Sequence, residues 1–186
     1  MPRYVIFAGV NGAGKTTLYY SNPRLAKLPR VNVDEIVRSL GTWSDPADMI
    51  KAGRIAVSTI RDYLQRGVSF NQEPTLCGKS ILGNIKLAKS RGYQIEIYYV
   101  GLSSAELAVE RVKKRVSDGG HDIPEADIRR RYSESADGLR AALAYCDKVE
   151  LYDNTEIFRR IAVYENGSWD IRTDDVPGWC VNIMQK

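Results

Sequence analysis

Cysteine is scarce, histidine nearly absent, and no long apolar run occurs in the 186 residues. The three cysteines (Cys77, Cys146 and Cys180) are odd in number, widely spaced and without a CxxC pair. That pattern argues against a disulfide framework or a structural zinc site and points to a reducing cytosol, a cytoplasmic setting. With His121 as the single histidine, a histidine-based metal centre is not expected either. No apolar stretch approaches the ~18–20 residues of a membrane span, so no membrane partner is expected. Residues 1–10 read as a first strand rather than a signal peptide. An excess of one charge is lacking too. The 27 Lys+Arg against 23 Asp+Glu give a formal +4, too little to indicate a nucleic-acid binder. Repeats, low-complexity tracts and linkers are absent, so residues 1–186 read as one domain.

What is present alternates. Short β-branched or aromatic runs at 4–10, 30–33, 69–72, 93–101 and 148–152 read as strands. Between them, 14–20, 34–39, 46–66, 79–91, 104–116 and 124–145 read as helices. Strands joined by crossover helices predict an α/β fold: three layers around a mostly parallel five-stranded sheet. Val5, Ile6, Phe7 and Ala8 are apolar at consecutive positions, as a strand buried on both faces requires. Asn166-Gly167 between 161–164 and 168–171 predicts a C-terminal hairpin over about 159–172.

Residues 9–16, GVNGAGKT, match G-x-x-x-x-G-K-[ST] and follow an apolar strand and precede a helix, the context a phosphate-binding loop needs. Glycines let backbone N–H groups converge on phosphate oxygens, and the helix start adds positive potential. Gly9, Asn11, Gly12, Ala13, Gly14, Lys15, Thr16 and Thr17 are therefore candidate nucleotide-binding residues. Lys15 is placed on the outer phosphates, and the Thr16 hydroxyl is a ligand for the Mg²⁺ that arrives with ATP. The guanine-reading Asn-Lys-x-Asp is missing, as is a long central strand ending in Asp-Glu, which argues against GTPases and motor ATPases.

Asp34 lies 18 residues after Thr16, at the end of a predicted second strand. A carboxylate there suits the base that accepts a hydroxyl proton during phosphoryl transfer; it equally suits the N-cap of the following helix. The polar cluster 70–75 offers Glu73 and Thr75 as acceptor-binding residues, Glu73 also suiting a helix N-terminal charge. Basic helices around Gly119-Gly120 read as a lid over about 111–131. Helical spacing puts Arg111 and Arg115 on one face, so this pair is the candidate for closing over the phosphates. Asn154, after the last core strand, is a candidate adenine contact or a plain turn residue.

Taken together, residues 9–17 (GVNGAGKTT), 31–36 (VNVDEI), 70–80 (FNQEPTLCGKS), 119–124 (GGHDIP) with flanking arginines, and 152–154 (YDN) resemble the zeta toxin family of P-loop kinases. The resemblance spans roughly residues 4–155 and implies a three-layer P-loop kinase fold and an ATP- and Mg²⁺-dependent kinase. It implies Asp34 as the acid of the second strand and Glu73 as an acid near an acceptor sugar. It also implies a UDP-sugar acceptor, UDP-N-acetylglucosamine in the family's toxins, and an antitoxin partner. The reading is a kinase acting on a small-molecule hydroxyl; an ATPase switch and a nucleotide-binding toxin–antitoxin module stand as alternatives.

Overall fold

A computed structural model describes residues 1–43 and 45–185. The elements in chain order are β1 (Arg3–Ala8), α1 (Lys15–Tyr20), α2 (Pro23–Ala26), β2 (Arg30–Val31), α3 (Val33–Leu40), α4 (Pro46–Arg66) and β3 (Phe70–Gln72). There follow α5 (Lys79–Ser90), β4 (Gln94–Gly101), α6 (Ala105–Ser117), α7 (Glu125–Ala142) with a 3-10 turn (Leu143–Tyr145), β5 (Lys148–Asp153), β6 (Arg159–Glu165), β7 (Ser168–Ile171) and α8 (Gly178–Met184).

Period-2 alternation along β1 divides the core in two. Tyr4, Ile6 and Ala8 face one side with Ile60 and Leu64 of α4, Ile85 of α5 and Leu139 of α7. Val5 and Phe7 face the other, against Leu18 of α1 and Val109 and Val112 of α6. The result is the three-layer α/β arrangement that the run of apolar residues in β1 predicts.

The sheet order is β2-β3-β1-β4-β5-β6-β7, with the first five strands parallel. The predicted hairpin exists but is not an appendage. Its strand β6 pairs antiparallel with β5 through Lys148↔Glu165 to Asp153↔Arg159, giving seven strands in one sheet instead of five. The edge left by β5 needs partners for its backbone groups, and β6 supplies them. The new edge, β7, is four residues long and mostly exposed, which limits further pairing.

Helix ends follow local chemistry. Ser104 caps α6 by accepting from Leu107 N at 3.1 Å, Asp45 caps α4 by accepting from Ala47 N at 2.8 Å, and Gly67 ends α4 in the left-handed region. Helices α2 and α8, unannounced by periodicity, have only four and seven residues. Among the described residues no helix is long and apolar enough to cross a membrane.

Candidate active site

The loop between β1 and α1 closes on itself through Ala13 N donating to Val10 O at 3.2 Å. Two glycines decide its fit. Gly12 has φ +80, and a Cβ there would lie 2.9 Å from Ala108 O and 3.2 Å from Arg111 Cβ, so the loop packs against α6 only without a side chain. Gly14 has φ +102 and precedes α1, and a Cβ there would lie 2.6 Å from Asn154 Nδ2. Lys15 Nζ donates to Val10 O at 3.1 Å. Burial pulls the Lys15 ammonium below its ordinary pKa and Arg115 acts in the same direction, while Glu73 and Asp34 oppose both.

Parallel register delivers the acids. Ile6 of β1 and Val31 of β2 both align with Gln72 of β3, so Glu73 emerges beside the loop that follows β1. Thr16 Oγ1 donates to Glu73 Oε1 at 2.6 Å. The other carboxylate oxygen accepts from Asn32 Nδ2 at 3.1 Å and from Arg30 Nη2. Glu73 is thus fastened to the cradle instead of opening a helix, and α5 starts six residues later.

Strand β2 ends at Val31, earlier than its sequence suggests, and Asn32 takes the cap by accepting from Asp34 N at 2.8 Å. Asp34 therefore sits in the first turn of α3 and is not the cap. Among the described residues its carboxylate makes no hydrogen bond or ion pair, and it lines the cavity in electrostatic reach of Lys15, Arg115 and His121.

The basic wall comes from α6 and α7. Arg111 and Arg115 share a face as expected, and both line the cavity. Arg111 Nη2 donates to Thr155 O at 3.0 Å and Arg115 Nη2 to His121 O at 2.9 Å. The Arg115 Nε is buried with no partner among the described residues, and burial holds that guanidinium below its usual pKa. Arg129 turns outward to Glu106 and Glu125, while Arg130, on the cavity wall, pairs with Asp127 and Glu134. Arg131 turns inward, donating to Asn11 Oδ1 at 3.1 Å. The loop between α6 and α7 reaches across the cavity, where His121 stacks on Trp43 at 3.9 Å and 12°.

The cavity thus enclosed measures about 880 Å³, within the size range of small-molecule sites. Asn11, Gly12, Gly14, Lys15, Thr16, Asp34, Glu73 and Thr75 line it with Arg111 and Arg115, so most of the residues singled out by sequence converge. Gly9, Ala13, Thr17 and Asn154 lie outside its lining. Asn154 Nδ2 donates to Ala13 O at 2.8 Å, bracing the loop from β5. Cys77 lines the cavity, but burial raises its thiol pKa, the opposite of nucleophile activation.

Sequence reasoning missed Arg30, Asn32 and Trp43 as parts of the site, and placed Arg131 in the lid without singling it out. Only Arg131 carried a readable signal. It lies three residues after Ile128 and four before Ser135, both buried, and so shares their inward face.

No family model matches the sequence. An uncharacterized protein of Haemophilus influenzae is 31% identical over 128 residues, covering 69% of this chain and 91% of that one. A structure from the PezAT chromosomal toxin–antitoxin system of Streptococcus pneumoniae aligns with all of this chain and 77% of its own, at TM-score 0.63 and 16% identity. The AvrRxo1-ORF1:-ORF2 complex with ATP aligns at 0.59 and 18%, covering 92% of this chain and 60% of that one. A candidate kinase from Chloroflexus aurantiacus aligns at 0.54 and 20%, covering 71% and 78%.

Proposed function

We propose, from the premise that the chain belongs to one family with its Haemophilus influenzae relative and has the fold of zeta toxin-like P-loop kinases, that it transfers the γ-phosphoryl group of ATP to a hydroxyl of a small molecule. The observation that carries this reading is the unpartnered Asp34 carboxylate facing Lys15 across the cavity, beside a complete phosphate-binding loop.

In this reading Asp34 accepts the proton of the acceptor hydroxyl, and the oxygen forms a bond to the γ-phosphorus. The bond from that phosphorus to the β–γ bridging oxygen breaks, ADP leaves, and the proton passes from Asp34 to solvent. Lys15, Arg115 and Arg131 surround the oxygens on which charge redistributes. Arg111 anchors the loop after β5 to α6 through Thr155 O and flanks the nucleotide from the lid side. Thr75 and Glu73 stand on the acceptor rim, with Glu73 also turned to Thr16.

A hydroxyl and a carboxylate 2.6 Å apart, Thr16 and Glu73, form an all-oxygen donor pair that fits Mg²⁺ carried by the nucleotide. The ion would neutralise phosphate charge there.

The acceptor class is a small hydroxyl compound, and within it a UDP-sugar is what the family resemblance supports. That resemblance, with the fold shared with PezAT, also supports an antitoxin-type partner, and the few, unpaired cysteines support a cytoplasmic setting. A screen of hydroxyl metabolites, UDP-sugars included, tests the proposal through ATP consumption. Consumption that needs both an acceptor and Asp34 is the expected result. Hydrolysis at full rate without any acceptor overturns it in favour of an ATPase switch.

A further inference from the structure

Arg30 lies outside the cavity lining, yet its guanidinium is held from several sides of the site. Its Nη2 binds Glu73 Oε2, its Nη1 binds Glu35 Oε1 of α3 at 2.8 Å, and its guanidinium lies 3.8 Å from the centre of the Tyr19 ring on α1. Its side chain is 10% exposed and that of Glu73 8%, so the pair is largely out of water. Burial works against the charge of Arg30, and Glu73 and Glu35 outweigh it, leaving its pKa raised. The Nε remains buried with no partner among the described residues.

This is an expensive way to stabilise a fold. Buried ion pairs gain little over apolar packing of the same volume, and an orphaned buried donor costs further. The geometry does accomplish something else. With Arg30 and Asn32 on Oε2, only Oε1 of Glu73 is left to meet Thr16. Tyr19 ties the same guanidinium to the helix that carries Lys15 and Thr16.

We propose that Arg30 is a positioning residue that fixes Glu73 with one oxygen turned to Thr16 and so separates the duties of the two acids. Glu73 serves the cradle and its cation, and Asp34 alone is free to take the acceptor proton. The inference rests on the kinase reading and deepens it, assigning a residue that neither the sequence motifs nor the resemblance marked.

The test is calorimetry of ATP binding with and without Mg²⁺ for the wild-type protein, Arg30→Gln and Arg30→Lys, with melting temperatures alongside. In Arg30→Gln, Mg²⁺ enhancement of ATP affinity falls by about tenfold or more, as for partners of metal-binding groups. Affinity for ATP without Mg²⁺ stays within about twofold, since the residues that touch phosphate are untouched. Arg30→Lys keeps the charge but not the planar fork, and recovers the enhancement only in part. Unchanged enhancement in either folded variant overturns the inference. So does a parallel loss of both affinities that tracks the melting temperature, the mark of a merely structural role. If Arg30→Gln does not fold, Arg30→Lys decides by the same readout. A wild-type protein that binds ATP with Mg²⁺ enhancement but transfers nothing overturns the kinase reading and leaves the Arg30 result standing. No ATP affinity at all overturns both.

Discussion

Lys15 and Asp34 show how differently single residues became legible. Lys15 is fixed by a motif whose spacing is dictated by phosphate geometry, so its place needs no knowledge of the rest of the fold. Replacing it with Ala should lower ATP affinity by at least about tenfold, the loss of one charge-assisted contact, in a protein that still folds. Equal affinity by calorimetry contradicts the cradle assignment. Asp34 was readable as an acid near the second strand but not as cap or base, because that choice turned on Asn32. A short β2 gives Asn32 the cap, and Asp34 is left free. Arg30 was unreadable for a related reason. Its partners, Glu73, Glu35 and Tyr19, come from three separate segments of the chain, and only the fold brings them together.

At the scale of elements, the strand–helix alternation was legible because strands buried on two faces and amphipathic helices leave strong periodic signals. The hairpin itself was legible through Asn166-Gly167, but not the edge on which it pairs, since nothing local in β6 specifies β5 as its neighbour. The connection between α6 and α7 carries its own prediction. Burial holds His121 below its ordinary pKa of 6.5, and Arg115 and Arg38 add to this, while Asp34 and Asp122 pull the other way. The native state prefers neutral histidine on Trp43, whereas the unfolded chain takes up the proton at 6.5 and below. The contribution is therefore fully present above pH 6.5 and is lost as pH falls through the lower native value. His121→Phe keeps a ring against Trp43 without the titration. Its melting temperature should fall less steeply than that of the wild-type protein from pH 6.5 to about 5. Identical slopes contradict a neutral, half-buried His121 in the stack.

On the scale of the whole molecule, one sheet carries the site at the carboxyl ends of its parallel strands, and elements outside the cavity lining contribute packing. Helix α8 belongs to the second group. Cys180 and Ile183 are buried in the core shared with α4, α5 and α7, and Trp179 covers Gly101 with Nε1 donating to Asp153 Oδ1 at 3.0 Å. Ile183→Ala should cost about 2–5 kcal/mol, lowering the melting temperature by roughly 5–15 °C for a chain this size. ATP affinity below that transition should stay unchanged. A melting temperature within a degree or two of wild type would mean that α8 is not part of the cooperative unit.

The scarcity of histidine and cysteine also finds its place at this scale. The chemistry proposed needs an unpartnered carboxylate, a lysine, arginines and a cation that enters with its substrate, and all of these protein groups converge on one cavity. The most direct measurement follows label from γ-labelled ATP into a hydroxyl acceptor, comparing the wild-type protein with Asp34→Asn while ATP affinity is checked for both. The account predicts a labelled phosphate ester with the wild-type protein, a loss of roughly 10²–10⁴-fold in Asp34→Asn, and equal ATP affinity. Equal transfer by both proteins, or label appearing only as inorganic phosphate whatever the acceptor, contradicts it.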